Sequence, residues 1–378
     1  MRIITSIERS AVATLLDRRP RRDAAVERRV AQIVERVRHG GDTVLRTYAR
    51  RFDGLTAPFE VTSGEIDSAA ASVPPDVRAA IRLAARHIRT VAAAQIPRRR
   101  VVTPSPGVRI EQRVIPLDRV GCYVPGGRYP LPSSLLMTAV AARAAGVRDV
   151  IAVCPRIDAT VMAAALEAGV TRLFRLGGAH AVAALAYGTE SVPRVDKIVG
   201  PGNAYVAAAK ARVAPDCAID FHAGSSEIVI VSSTGRPAWI AADLIAQAEH
   251  DPDARAILIT PSRRLAGAVA RAVDAQLPAG GPARQAIDAN GGIVVTKDLD
   301  EAVALCERAA PEHVVCDTDR VATRLTCAGT IFVGVSSVQH LTARGLAGIA
   351  AAAMTLAQAE GLTAHAASIA IRTRGARS

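Results

Sequence analysis

The sequence predicts an α/β protein of two lobes, each built on a parallel sheet. Three observations carry that reading. From Val120 onward, short β-rich runs alternate with helical ones, the pattern of strands joined by crossover helices. The chain's 378 residues leave room for about two domains. Three glycine-rich loops stand directly after predicted strands, where such sheets bind ligands.

Before Val120 the chain reads mainly helical. Ala24 to Arg38 carries apolar residues at helical spacing and stops at His39-Gly40-Gly41. A second helix follows Pro75, from Asp76 to Ala94, and Val108 to Pro116 alternates like a strand. Further strands are predicted over 149–154, 172–176, 197–199, 218–221, 227–231, 254–260, 292–296 and 330–333. Helices are predicted from Asp158 to Ala168, after Gly178, after Gly202 and from Pro237 to His250. A long helix, Val338 to Glu360, precedes a strand-like tail, Ala367 to Ile371. The expected division is an N-terminal arm over 1–22, a discontinuous first lobe over 23–119 plus 220–334, a second, cofactor-side lobe over 120–219, and a C-terminal helix and tail over 335–378.

Composition removes several function classes. Half of the residues are hydrophobic and 22% are charged, which is ordinary globular usage. No stretch approaches the ~18 apolar residues of a membrane helix. The start, Met1-Arg2-Ile3-Ile4, lacks the apolar core of a secretory signal. The six cysteines, 122, 154, 217, 306, 316 and 327, form no CxxC pair, so a cytoplasmic protein without a disulfide framework is expected. Cys154, Cys306, Cys316 and Cys327 sit in apolar runs and read as core residues. The net charge of +12 comes almost wholly from arginine, because only Lys197, Lys210 and Lys297 are lysines. With aromatics at 3% there are few platforms for stacked bases, and nucleic acid is not an expected partner.

The residues able to carry chemistry fall into short groups. Tyr123-Val124-Pro125-Gly126-Gly127, Leu176-Gly177-Gly178-Ala179 and Gly200-Pro201-Gly202-Asn203 are loops suited to a phosphate, although none matches GxGxxG. Gln247 and His250 lie three apart, so on a helix they share one face while Glu249 points elsewhere. That pair offers a metal one oxygen and one nitrogen, or is simply a solvated helix end. Glu312 and His313 are adjacent proton acceptors at a helix-to-strand junction, where a dipole-favoured helix-end histidine is the structural alternative. Glu360 to His365 closes the last long helix.

Together these segments resemble the bacterial histidinol dehydrogenase family. The resemblance runs through Val120 to Ala142, Gly177-Gly178-Ala179, Tyr187 to Lys197, Gly200 to Val206, Gln247 to Asp253, Pro311 to His313 and Leu362 to His365, in family order. It implies an aldehyde-dehydrogenase-like architecture of two Rossmann-like parallel-sheet lobes with a helical C-terminal tail. It also implies a zinc-dependent, NAD-linked homodimer that oxidises an amino alcohol through the aldehyde to the acid. Carried over by position, Tyr123, His180 and Asn203 stand at cofactor-binding positions, with His180 replacing the family's glutamine. Ser226 and Glu360 stand at substrate positions, and Gln247, His250 and His365 at zinc positions. Glu312 and His313 stand for the paired bases. In the family the tail swaps between subunits, which would bring His365 from a partner chain.

One segment departs from the pattern. The family's loop after Ile331 to Gly334 carries an aspartate zinc ligand and a substrate-side histidine; here Gly334 runs almost directly into Val335-Ser336-Ser337, the expected N-cap of the final helix. His222 is the candidate replacement ligand, with His340 behind it. The missing loop leads to the expectation of an NAD-dependent oxidoreductase of an alcohol or amino alcohol, diverged from histidinol. The alternatives are a genuine histidinol dehydrogenase of histidine biosynthesis, and a redox-neutral or silent homologue.

Overall fold

The runs Asp149–Val153 and Glu227–Val231 are buried along nearly their whole length, as strands covered on both faces must be. Each is the centre of a separate sheet. The computed structural model describes residues 1–17, 23–126, 130–221, 226–333 and 343–374. It divides into two compact units, residues 1–21 with 225–378, and residues 22–224. The chain opens with β1 (Ile3–Thr5) and α1 (Arg9–Leu16), which belong to the first of these.

The 22–224 unit begins with α2 (Ala24–Tyr48), whose N-cap Asp23 accepts the amides of Ala25 and Val26. The predicted stop is present inside it: Gly41 takes φ 50°, and the carboxylate of Glu190 lies 2.6 Å from where a Cβ there would stand. A π-helical turn, Ala49–Asp53, leads to β2 (Glu60–Val61), α3 (Ser63–Ser72) and α4 (Pro75–Gln95). Then come β3 (Arg100–Ser105), β4 (Val108–Gln112), β5 (Arg119–Tyr123), α5 (Pro132–Ala144), β6 (Asp149–Val153), α6 (Ala159–Ala168) and β7 (Arg172–Phe174). The unit closes with α7 (Gly178–Tyr187), β8 (Lys197–Val199), α8 (Ala204–Val213) and β9 (Ala218–Ile219). Its sheet runs β2-β7-β6-β5-β8-β9, parallel except at the edge strand β2, and β3 and β4 form a separate antiparallel ribbon.

The other unit continues with β10 (Glu227–Val231), α9 (Pro237–Ala248), β11 (Arg255–Thr260), α10 (Arg263–Gln276), α11 (Pro282–Asn290) and β12 (Gly292–Val295). After these follow α12 (Leu299–Ala309), β13 (His313–Cys316), α13 (Asp319–Ala322), β14 (Thr330–Val333), α14 (Ala343–Ala359) and α15 (Thr363–Arg374). Its sheet is wholly parallel in the order β1-β12-β11-β10-β13-β14. Two parallel α/β sheets with a helical tail are therefore the fold, as the strand–helix alternation predicts.

Three expectations are corrected. Residues 23–119 pack with the 120–219 segment rather than with 220–334, because β2 pairs with β7 and the helices of that stretch cover the same sheet. The N-terminal arm and the C-terminal tail belong to the other unit; β1 pairs with β12 there. The tail over Ala367 to Ile371 is helical, not a strand: His365, Ser368 and Arg372, at i, i+3 and i+7, face α9, and this polar stripe outweighs the apolar alternation. The expected N-cap at Val335 to Ser337 lies outside the described residues, as do His222 and His340. Cys327 is exposed, whereas Cys122, Cys154, Cys217, Cys306 and Cys316 are buried.

Candidate active site

In the unit built on β10, the candidate residues Ser226, Glu312 and His313 lie at the amino edge of the sheet. β10 and β13 are parallel neighbours with Ile228 opposite His313, so Ser226 and Glu312 enter side by side just before their strands. The Ser226 hydroxyl donates to Glu312 Oε2 at 3.2 Å. Beneath them Glu227, 6% exposed, accepts the Glu312 amide at 3.2 Å and is ion-paired to Arg255 at 2.9 Å. The Glu227 backbone carbonyl lies 3.2 Å from His313 Nδ1. A carbonyl only accepts, so Nδ1 carries a proton, and the tautomer this contact selects has its lone pair on Nε2. The His313 ring also stacks on Phe332, with centroids 6.0 Å apart. The glycine loops stand at the carboxyl ends of strands, where such sheets are expected to bind ligands, whereas Glu312 and His313 stand at an amino end.

Helix α9 leaves β10 and runs back antiparallel to it, so its C-terminal end returns to the same amino edge. That end carries partial negative charge, a setting that favours a cation. Gln247 lies in the last turn; α9 ends at Ala248, so Glu249 and His250 escape the helical spacing expected of them. His250 Nε2 faces His365 Nε2 at 3.1 Å, with the rings edge to face. His250 keeps an exposed edge, yet desolvation first, then repulsion from His365 and His313 against the pull of Glu249, pushes its pKa down to about 4. Its ring is neutral at ordinary pH, the form a metal requires.

Glu249, which the helical wheel turns away, is directed to His365. It accepts the Ala364 amide at 2.9 Å, the His365 amide at 2.9 Å and His365 Nδ1 at 2.7 Å. Burial raises its carboxyl pKa, these hydrogen bonds lower it, and the balance stays below the ordinary value.

Among the described residues no three His, Cys, Asp or Glu side chains are grouped to hold a metal. The donors present are instead two imidazoles and an amide, and they fit zinc on two observations. The buried Gln247 Nε2 is the one side-chain nitrogen or oxygen among the described residues that is fully buried with no hydrogen-bond partner. Its amide can be turned to offer oxygen. And 3.1 Å between two imidazole nitrogens approaches the about 3.3 Å that tetrahedral Zn–N bonds of about 2.0–2.1 Å require. Glu360 lies just past α14 and is 3% exposed, so the fold surrounds a residue expected to meet substrate.

In the 22–224 unit, the glycine loops follow β5, β7 and β8 at the carboxyl edge. Helix α7 begins at Gly178 with no side chain capping it, which leaves first-turn amides for an anion. The buried Tyr123 hydroxyl accepts the Gly178 amide at 3.0 Å. Asn203 caps α8, its Oδ1 taking the Tyr205 and Val206 amides. His180 differs from the expectation of a direct cofactor contact. It is 1% exposed and turned inward to Asp53 at 2.8 Å, while Asp53 also holds the Gly177 amide at 3.1 Å. Lys210, equally buried, donates to the Gly200 carbonyl and to Asp220, which in turn holds the Gly200 amide. Asp53, Lys210, Asp220, Glu227 and Arg255 carry no motif of their own, and sequence reasoning passes over their roles.

Comparison with known proteins agrees across the chain. A family model described as Histidinol dehydrogenase matches residues 16–340. A Rhizobium meliloti protein named histidinol dehydrogenase is 40% identical over 419 residues, covering 97% of this chain and 96% of that protein. The alignment is longer than this chain's 378 residues, so the relative carries segments that this chain lacks. A Syntrophotalea carbinolica protein of the same name is 47% identical over 323 residues, covering 82% of this chain and 75% of its own. The crystal structure of histidinol dehydrogenase from Elizabethkingia anophelis matches with a TM-score of 0.81 at 27% identity, over 98% of this chain and 97% of that one.

Proposed function

Because this chain belongs to the histidinol dehydrogenase family, we propose that it oxidises histidinol to histidine, with NAD as hydride acceptor. The observation that carries the reading is that one unit holds both an oriented base pair, Glu312 and His313, and a donor set suited to zinc.

His313 accepts the alcohol proton at Nε2, the nitrogen left free by its bond to Glu227. Glu312 removes a proton from the water that adds to the aldehyde, and Ser226, bonded to the same carboxylate, helps to seat the substrate. Gln247, His250 and His365 would hold zinc, which when bound supplies a Lewis acid that anchors and polarises the substrate. NAD, when bound, would supply the hydride acceptor, one molecule for the alcohol and a second for the aldehyde. Tyr123 and Asn203 belong to its loops, and His180 supports them through Asp53. We place the activity in the cytoplasm, in a homodimer: the β3–β4 ribbon exposes Val102, Val108 and Ile110, and a two-stranded ribbon is marginal alone.

The shortened connection after Gly334 favours a second reading, a related amino alcohol as substrate, whereas the relatives' names favour histidinol. Zinc-loaded protein assayed for NADH formation against histidinol and simpler amino alcohols separates them. Preference for histidinol supports the first reading, and turnover of another amino alcohol alone supports the second.

A further inference from the structure

We infer that Glu249 is the positioning residue of the metal site: its carboxylate caps the first turn of α15 and turns His365 Nε2 towards the metal. The inference rests on the zinc reading above. Three donors converge on this carboxylate. Two are the first-turn amides of Ala364 and His365, which have no partner within the helix, and Leu362 just before α15 has no side-chain acceptor to cap them. The third is His365 Nδ1 at 2.7 Å. An ionised carboxylate only accepts, so this contact puts the ring proton on Nδ1 and leaves Nε2 as the ligand atom. It also stops the ring from turning, because amide and imidazole of one residue are held by the same oxygen, Oε1. Glutamine is the informative replacement. It keeps the size and one acceptor oxygen, but sets an NH₂ against a donor.

A second attachment allows orientation to be told apart from docking. Asp243, buried in α9, accepts Ser368 Oγ at 2.6 Å and Arg372 Nη2 at 2.6 Å further along the same tail helix. Arg372 also lies 5.4 Å over the ring of Trp239, the chain's single tryptophan, whose emission therefore reports tail docking.

The test is zinc affinity of the full chain, by competition with a chromophoric chelator, in wild type, E249Q, H365A and the double variant. Glu249→Gln is expected to weaken zinc about 10–100-fold with Trp239 emission unchanged. In the H365A background it is expected to cost nothing more, since the ligand it orients is gone. Wild-type affinity in E249Q, or an equal loss with and without His365, overturns the inference. So does an emission change in E249Q as large as that of Asp243→Asn, which would make Glu249 a tail anchor alone. A wild-type chain that takes up no zinc overturns the zinc reading itself.

Discussion

His313 owes its usefulness to a backbone atom. The Glu227 carbonyl fixes the proton on Nδ1, so the acceptor nitrogen is chosen before substrate arrives. His313→Ala is expected to lower turnover by roughly 10²–10⁴-fold, as loss of a general base does, while zinc content measured by metal analysis stays at the wild-type level. Gly200 is a different kind of residue. Its φ is 113°, and a Cβ there would stand 2.2 Å from the Tyr123 carbonyl. Gly200→Ala combines strain with a backbone clash, so a loss above about 1 kcal/mol is expected in urea unfolding, with weakened NAD binding by titration. Glu312, His313, Gln247 and His250 stand out as candidates in the sequence because they are adjacent or near-adjacent letters. Glu227 and Glu249 do not, since each acts through a strand or helix that ends beside it.

At the scale of elements, α9 and α15 decide whether the metal donors meet. Their contact is polar: Glu249 at one end, and the buried Asp243 with Ser368 and Arg372 at the other. Removing one partner of a buried ion pair costs about 3–5 kcal/mol, but here the helix can leave, so the loss is capped at its docking energy. Arg372→Met is therefore expected to release α15 rather than unfold the unit. Hydrogen exchange should show faster exchange over 363–374 with β10 and β11 still protected. This polar packing is also why the tail reads wrongly from sequence. Ala367, Ile369 and Ile371 alternate as a strand would, and nothing local reveals that Ser368 and Arg372 are the buried side.

At the scale of the whole molecule, the buried parallel strands and their glycine loops are legible because uninterrupted apolar runs and turn residues are local signals. The grouping of segments is not, because residues 23–119 are bound to their unit by long-range pairs such as Glu60 with Arg172. Those pairs also set the response to acid. Bidentate hydrogen bonds from Arg172, opposed by burial, hold the Glu60 carboxyl below its ordinary range. Asp149 is raised by burial but lowered more by Thr171 and Arg119, and ends below its ordinary range too. A depressed folded-state pKa stabilises above the unfolded value and loses that contribution as pH falls through the folded one. The urea midpoint of the 22–224 unit is thus expected to fall as pH drops through and below the ordinary carboxylate range, and Glu60→Gln to flatten that slope. An unchanged slope would remove this pair from the acid response.

The proposed activity removes four electrons from histidinol, with His313 proposed to serve the alcohol step and Glu312 the aldehyde step. The direct measurement is the amount of NADH formed per histidinol consumed by the zinc-loaded protein, with the product identified. Two NADH per histidinol, with histidine as product, is the predicted result. One NADH with accumulated aldehyde, or histidinol left unconsumed, would contradict the account.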